Sequence, residues 1–460
     1  MIGPLAAERL RRAYVLGLGV SGIAAVRLLH ARGVEVVASD RRTASELELG
    51  GLEGLAGVEL HTGTDRDALD AGIDVLVLSP GVAPGHPLVA EARRAGVPVL
   101  GEVELAFAYL DGTVVAVTGS NGKSTTTALA GALIAAAGRT VEVCGNIGVP
   151  LSSVVEGAPG RVFVVELSSF QLETVHRFRP RAAALLNLSP DHLDRHGDLA
   201  GYLEAKRRVF ARQGAEDGAV LNADDPEVAA TAVASRRRAF SLRGAVEDGA
   251  FVAGERVIER QPAAADRELF ALADLPLAGP HNLENALAAA LLARAVGVEP
   301  GVLPAALRGF RGLPHRLERV AERAGVSFWN DSKGTNVGAT LRSIEGFPDG
   351  SLHLVLGGRN KGADLGLLRA AVARKARRVY LIGEAAGELE RARTGAVEIS
   401  RSATLEAAVA ESAERARPGE AVVLSPACAS FDQFRDFRDR GERFVRLVSA
   451  LAAEPVGGGR

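Results

Sequence analysis

Two cysteines in 460 residues, Cys144 and Cys428, lie far apart, and neither belongs to a CxxC pair. A disulfide framework and a cysteine-based zinc site are therefore excluded, and both thiols read as small packing residues. An excess of one charge is missing too. Lys and Arg number 54 and Asp and Glu 56, a formal net charge of −2, so nothing general draws the chain to nucleic acid or to an anionic membrane. Any affinity for anions must be local. The longest apolar run, 128-ALAGALIAAAG-138, falls short of the ~20 residues a bilayer crossing needs. The opening MIGPLAAERLRRAYVLGLG lacks an uncharged signal core with a cleavage site, so a cytoplasmic location is expected. Repeats and low-complexity tracts are absent, and the tail EPVGGGR is expected to fray. What remains is 47% hydrophobic and 24% charged, the mix of a folded chain, and too long for one ordinary core.

Short β-branched runs alternate with alanine- and leucine-rich helical patterns, the signature of parallel α/β sheets. A first block has strands near AYVLGLG (13–19), VEVVASD (34–40), DVLVLSPG (74–81) and VPVLG (97–101). A second has TVVAVTG (113–119), RVFVVELS (161–168), AAALLNLS (182–189) and GAVLNADD (218–225). Within it GAFVAGERVIER (249–260) alternates like a hairpin and predicts a small antiparallel insertion. The Gly/Pro-rich 309-GFRGLPHR-316 reads as a linker. After it come strands near VSFWNDS, LHLVLGG, RRVYLIG and EAVVLSPA. Boundaries near 102 and 312 divide the chain into three.

Two glycine turns each follow a strand and open a helix. Gly17-Leu18-Gly19-Val20-Ser21-Gly22, with Asp40 at the end of the next strand, matches a dinucleotide fingerprint. It fits an NAD enzyme or a Rossmann-like domain holding another nucleotide diphosphate, and a purely structural turn stays open. Gly119-Ser120-Asn121-Gly122-Lys123-Ser124-Thr125 is a shortened P-loop, Val117 standing where the strict pattern wants glycine. Its amides can face one concavity, Lys123 adds a positive charge, and Ser124 or Thr125 sets a hydroxyl where Mg²⁺ would sit. That points to a nucleoside triphosphate. Glu166, where RVFVVE runs into LSSFQ, is a candidate metal ligand at a carboxyl strand edge, or a carboxylate facing water. The cluster 187-NLSPDHLDRHG-197 offers Asp191, His192, Asp194 and His196; beside a P-loop, His192 is the candidate, though a loop histidine is usually solvated.

GSNGKSTTT, GNIGVPL, ELSSFQLE, NLSPDHLDRH, NADD, GPHNLENALAA, LPHRLE and NDSKGTN, in this order, resemble the Mur ligase family of peptidoglycan synthesis. The likeness covers essentially the whole chain. It implies an α/β fold of three domains: a Rossmann-like UDP-sugar domain (1–102), a central P-loop ATPase-like domain with a mostly parallel sheet (103–312), and a Rossmann-like amino-acid domain (313–460). ELSSFQL with SPACASFDQF is similar to the branch that adds D-glutamate to UDP-N-acetylmuramoyl-L-alanine. The activity implied is ATP-dependent amide synthesis through an acyl phosphate, by a cytoplasmic monomer that takes no nucleic acid and enters no membrane.

By that resemblance, Gly119 to Thr125 cradle ATP, with Lys123 on its β- and γ-phosphates. Ser124 and Glu166 hold one Mg²⁺, and His192 a second. Lys206, in 201-GYLEAKRRVF-210, matches the family's carbamylated lysine; an unmodified ammonium beside two divalent ions would be repelled, whereas a carbamate would help to hold them. Asn285 and Arg316 match positions near the phosphates, and Asn282, His315 and Asp331 positions about the adenosine. By residue type alone Asn282 and Asn285 are helix-start residues. Val20, Ser21, Asp40, Arg42 and Gly81 match the UDP end of the sugar nucleotide, and Asn146 and His192 its muramoyl-alanine arm. Lys333, Thr335, Lys361, Ser430, Phe431 and Phe437 match the D-glutamate pocket, where two lysines suit a dicarboxylate. Gly334 and Phe431 depart from the family's usual alanine and leucine, which puts the shape of that pocket in doubt.

Rival readings are another Mur ligase adding L-alanine or a diamino acid, and a folylpolyglutamate synthase-like enzyme. SPACASFDQF and the lack of a DNPR signature speak against both. An NAD-dependent oxidoreductase leaves GSNGKST unexplained, and a nucleotide-switch module without chemistry stays open.

Overall fold

The computed structural model describes residues 10–64, 69–277, 279–392 and 397–453. The tail expected to fray, 454–460, and the first nine residues lie outside them. By internal packing the chain divides into two compact units, Met1–Leu275 with Glu284–Phe310, and Pro276–Leu283 with Arg311–Arg460. The second change of unit falls inside 309-GFRGLPHR-316.

The first unit carries two sheets. β1 (Arg12–Leu16), β2 (Glu35–Asp40), β3 (Val58–Thr62), β4 (Val75–Leu78) and β5 (Val99–Gly101) pair wholly in parallel in the order β3-β2-β1-β4-β5. Near-continuous apolar strands such as RAYVL and VLVL suit a parallel sheet covered on both faces. The order reverses between β1 and β4, and this switch point is where open α/β sheets bind ligands.

The second sheet has nine strands: β6 (Gly112–Thr118), β7 (Val141–Gly145), β8 (Arg161–Glu166), β9 (Ala182–Leu185), β10 (Gly218–Asn222), β11 (Arg236–Ser241), β12 (Gly249–Ala253), β13 (Arg256–Arg260) and β14 (Arg267–Ala271). Their order is β14-β13-β12-β11-β10-β9-β6-β8-β7, parallel as far as β12 and antiparallel beyond it. The hairpin expected over 249–260 forms, but not as an insertion. β12 pairs in parallel with β11, so β12–β14 extend the main sheet to its edge.

One carboxylate stitches the two sheets together. Glu104, in the helix Glu102–Phe107 that follows β5, accepts the backbone N–H groups of His176 (2.9 Å), Arg177 (2.7 Å) and Phe178 (3.0 Å). Those N–H groups lie just before β9.

The second unit holds β15 (Glu318–Arg323), β16 (Val326–Asn330), β17 (Leu352–Gly357), β18 (Ala376–Ile382), β19 (Glu398–Ala403) and β20 (Ala421–Leu424), ordered β15-β16-β20-β17-β18-β19. Only β15 runs antiparallel to its neighbour. Among the described residues, no helix is long and apolar enough to cross a membrane. Both cysteines are buried, and burial pushes their thiols up, so they pack rather than react.

Candidate active site

Four adjacent strands, β9-β6-β8-β7, deliver the site of the first unit at their carboxyl ends. β6 runs into Gly119–Gly122, and the helix Lys123–Ala136 follows with no side-chain cap and no acid in its first turn. Its amide dipoles are therefore left to an anion. Ser168, Asp198 and Asp225 cap their own helices instead. Gly122 is left-handed (φ +83°), and an added Cβ would collide with Asn285 Oδ1. Gly119 (φ +149°) lies where a Cβ would meet Leu186 at 3.0 Å.

The loop after β9 pins this turn. Ser120 N–H donates to Asn187 O (3.0 Å), Asn121 N–H to Asn187 Oδ1 (2.9 Å), and Ser120 Oγ to Ser189 O (3.0 Å). Lys123 folds back to donate to Gly119 O and Ser120 O, each at 2.9 Å. Ser124 and Thr125 are buried, and Thr126 Oγ1 donates to Asn285 Oδ1 (3.1 Å). Asn285 thus packs against the loop that it was matched to.

Glu166 ends β8 in register with Val117 of β6, and it is 2% exposed rather than facing water. Its Oε1 accepts from Asn146 Nδ2 (2.7 Å), whereas its Oε2 is buried with no hydrogen-bond partner. A buried carboxylate oxygen without a donor is costly, and a cation is the ligand that relieves it. Among the described residues no three His, Cys, Asp or Glu side chains form a metal cage.

Lys206 is 1% exposed, donates to Gly119 O at 2.8 Å, and sits 4.3 Å from the centre of the Tyr202 ring. Burial, and then the nearby Lys123 ammonium, push its pKa well below the usual lysine range; Asp191 and Glu166 pull weakly the other way. Lys206 is thus a buried amine beside the glycine turn, not a surface lysine.

In the loop 187–197, His192 is left-handed (φ +53°) and 42% exposed on its side chain, with Asp191 beside it. His196 is a packed residue. It is hydrogen-bonded to Ser169 (3.0 Å), lies 3.5 Å from Glu173, and burial lowers its pKa. The side chain of Asp194 lies outside what the structure describes.

At the first glycine turn Gly17 has φ +90°, and a Cβ on Gly22 would collide with the Gly17 carbonyl. The helix Val20–Ala31 also starts without a side-chain cap. Val20 is 72% exposed at its mouth. Asp40 accepts from Leu18 N–H (2.7 Å), Arg42 N–H (2.9 Å) and the Arg42 guanidinium (2.9 and 3.0 Å). Burial would raise its pKa, but these donors outweigh burial and lower it to about 2. Ser21 lies in the first turn of the helix. A Cβ on Gly81 would meet nothing within 4 Å, so the protein itself does not demand glycine there.

The second unit gathers the remaining candidates. Asn282 is buried in the opening turn of the helix Pro280–Ala295. His315 is left-handed (φ +64°), bonds to Asn330 Nδ2 (2.9 Å), and is lowered in pKa by burial; Arg316 follows it. Asp331 is buried and accepts from Ser343 Oγ (2.6 Å), Ser425 Oγ (2.7 Å) and Leu317 N–H (3.2 Å). Desolvation outweighs these donors and raises its pKa to about 6. Its immediate work is to brace the turn 331–335. Gly334 fits that turn closely, for a Cβ would lie 2.6 Å from Asp331 Oδ2.

Lys333 holds its ammonium 3.7 Å from the centre of the Phe437 ring, and Thr335 N–H donates to Lys333 O. Ser430 is buried, Phe431 is 64% exposed, and Lys361 lies on the exposed loop after β17. Arg440 was not foreseen from the sequence. Its fully buried guanidinium donates to Ser332 Oγ (3.0 Å), Ser332 O (2.9 Å) and Cys428 O (3.2 Å), and burial lowers its pKa to about 10. No local pattern in FRDFRDRGERF marks that arginine out from its neighbours.

Family models match the three segments that carry the sheets: the Mur ligase MurD-like N-terminal domain over residues 11–101, the Mur ligase middle domain over 117–293, and the Mur ligase glutamate ligase domain over 315–428. The chain is 44% identical over 446 residues to the UDP-N-acetylmuramoylalanine–D-glutamate ligase of Acidobacterium capsulatum, covering 96% of each chain. To that of Myxococcus xanthus it is 45% identical over 450 residues, covering 96% of this chain and 98% of the relative. The chain belongs to the Mur ligase family, in its MurD-like branch. Among solved structures, this Mur ligase fold is similar to the UDP-N-acetylmuramate–alanine ligase MurC of Thermotoga maritima, with a TM-score of 0.61 at 17% identity, covering 96% of this chain and all of that one. It is likewise similar to MurF ligase from the same organism in complex with ADP, with a TM-score of 0.56 at 17% identity, covering 97% and 96%.

Proposed function

We propose that this Mur ligase joins D-glutamate to UDP-N-acetylmuramoyl-L-alanine at the expense of ATP, releasing ADP and phosphate in peptidoglycan precursor synthesis. The names of its relatives at 44 and 45% identity support the substrates. The observation that carries the chemistry is the cluster of half-buried Lys123, buried Lys206 and the unpartnered Glu166 oxygen around one glycine turn.

A carboxylate is a poor electrophile. An oxygen of the alanyl carboxylate attacks the γ-phosphorus of ATP and ADP leaves; the amine of D-glutamate then attacks the acyl carbon, loses a proton, and phosphate departs. Negative charge gathers on phosphate oxygens in both steps, so positioned cations in a dry site lower both barriers. Gly119 to Thr125 cradle the triphosphate, with Lys123 released from its two carbonyls to the β- and γ-phosphates. Asn285 and Arg316 support the phosphates; Asn282, His315 and Asp331 lie about the adenosine.

Ser124, Glu166, His192 and Lys206 are the residues that would hold two Mg²⁺ ions, which supply charge neutralisation at the phosphates. The uncharged Lys206 amine is the form that adds CO₂, losing a proton to become a carbamate. The first sheet binds the sugar nucleotide through Val20, Ser21, Asp40, Arg42 and Gly81, with Asn146 and His192 nearer the alanyl end. Lys333, Thr335, Lys361, Ser430, Phe431 and Phe437 take D-glutamate. We place domain boundaries near 102 and 312, and the enzyme in the cytoplasm as a monomer.

Phosphate release measured with each substrate omitted in turn tests this reading. Release requiring both UDP-N-acetylmuramoyl-L-alanine and D-glutamate supports it. Release with neither makes the protein a nucleotide switch, and release with another amino acid redirects the substrate.

A further inference from the structure

We propose that Arg195 is a positioning residue that ties the turn 80–82 of the first sheet to His192 of the second, so that binding of the sugar nucleotide orders the reacting end. This rests on the functional reading above. Arg195 lies in DHLDRH between His192 and His196, and its side chain is 15% exposed.

Its guanidinium works on three sides. Toward Glu173 it makes a fork, Nη2 to Oε2 at 2.6 Å and Nε to Oε1 at 3.1 Å. Toward the first sheet it donates from Nη1 to Pro80 O and from Nη2 to Val82 O, each at 3.2 Å, the two carbonyls that flank Gly81. It also stacks over Phe170, 4.2 Å from the ring centre. That same ring meets His192 edge-on, with centroids 4.8 Å apart and planes at 62°.

His192 needs such support. It is held left-handed outside glycine, a backbone state that costs about 1 kcal/mol or more and persists only where neighbours over-determine it. Its half-exposed ring packs against Phe170, and Arg195 stacks over that same Phe170 ring. The chain of contacts from Gly81 to His192 therefore runs through one planar cation. Lysine cannot replace it, because an ammonium has neither the fork nor the flat face. A tightened 80–82 turn fixes the guanidinium, which fixes Phe170 and then the histidine. Arg195 touches no reacting atom in this account.

The test compares wild type with Arg195→Met, Arg195→Lys and Arg195→Ala in the full-length enzyme. Steady-state kinetics, calorimetric binding of UDP-N-acetylmuramoyl-L-alanine without ATP, and thermal unfolding are measured for each. Loss of two carbonyl bonds and misplacement of His192 should raise the Kd and KM for the sugar nucleotide about tenfold and lower kcat about a hundredfold, leaving the KM for ATP within about twofold. Arg195→Lys should resemble Arg195→Met, and millimolar ethylguanidinium should recover part of the kcat of Arg195→Ala. Sugar-nucleotide Kd and kcat within twofold of wild type in every variant overturn the proposal. So does an equal loss in all substrates with a lowered Tm and no chemical rescue, the mark of a merely structural residue. Wild-type protein that neither turns over nor binds the sugar nucleotide overturns the functional reading and this inference with it.

Discussion

The two glycine turns look alike and are built for different work. Each follows a parallel strand, opens a helix that no side chain caps, and needs glycine where a Cβ would strike the protein itself. Around Gly17–Gly22 the ionisable groups are already paired: Asp40 is filled by Leu18 and Arg42. Around Gly119–Gly122 they are crowded, and one of them is left short of a donor. Two lysines share the Gly119 carbonyl, and Glu166 keeps an oxygen without a donor. In the function proposed here, the first turn holds an anion and the second changes one.

Lys123→Ala breaks the comparison most sharply. It should abolish phosphate release, a loss of about a thousandfold or more, while calorimetry shows unchanged affinity for the UDP-sugar. Loss of both would mean that the two turns do not act separately. Next comes Lys206→Ala. The structure expects activity to fall about a hundredfold or more and to return in part with added formate or acetate, anions that stand in for a carbamate. Activity insensitive to every small carboxylate would leave the lysine a packing residue.

Gly122→Ala and Gly81→Ala sharpen the contrast at the level of single atoms. The first forces a Cβ into Asn285 from a left-handed backbone and should lower Tm as well as ATP affinity. The second meets only open space, so Tm should hold; a raised KM for the sugar nucleotide alone would show that the ligand, not the fold, requires glycine there.

The smallest effect is at Asp40. Its pKa of about 2 lies below the unfolded value of 3.8, so its stabilisation is present above pH 4 and lost as pH falls through 2. Asp40→Asn should cost about 1 kcal/mol at pH 7, allowing for solvent screening of the half-exposed Arg42, and only a small part of that near pH 2. Urea unfolding at the two pH values reads the difference.

Much of this was legible in the chain because parallel α/β sheets place function at strand ends. GSNGKST, Glu166 and the 187–197 loop could be put at strand ends of one block from pattern alone; that those strands are neighbours could not. What was illegible is long-range. The edge role of β12–β14 depends on β12 pairing with β11, and RRRAFS of β11 carries three arginines that hide its strand pattern. The 187–197 loop offers His196 alongside His192, but Phe170, Tyr202, Ser169 and Glu173 enclose it. Arg195 and Arg440 are ordinary arginines in sequence, and only the carbonyls that surround them in space show their use.

The central claim is that the sugar-linked carboxylate is activated by phosphoryl transfer at the second turn. Substrate labelled with ¹⁸O in both oxygens of the alanyl carboxylate tests it directly, by mass analysis of the phosphate released with D-glutamate present. One labelled oxygen per phosphate is the result expected; unlabelled phosphate, formed at the same rate as product, contradicts the account.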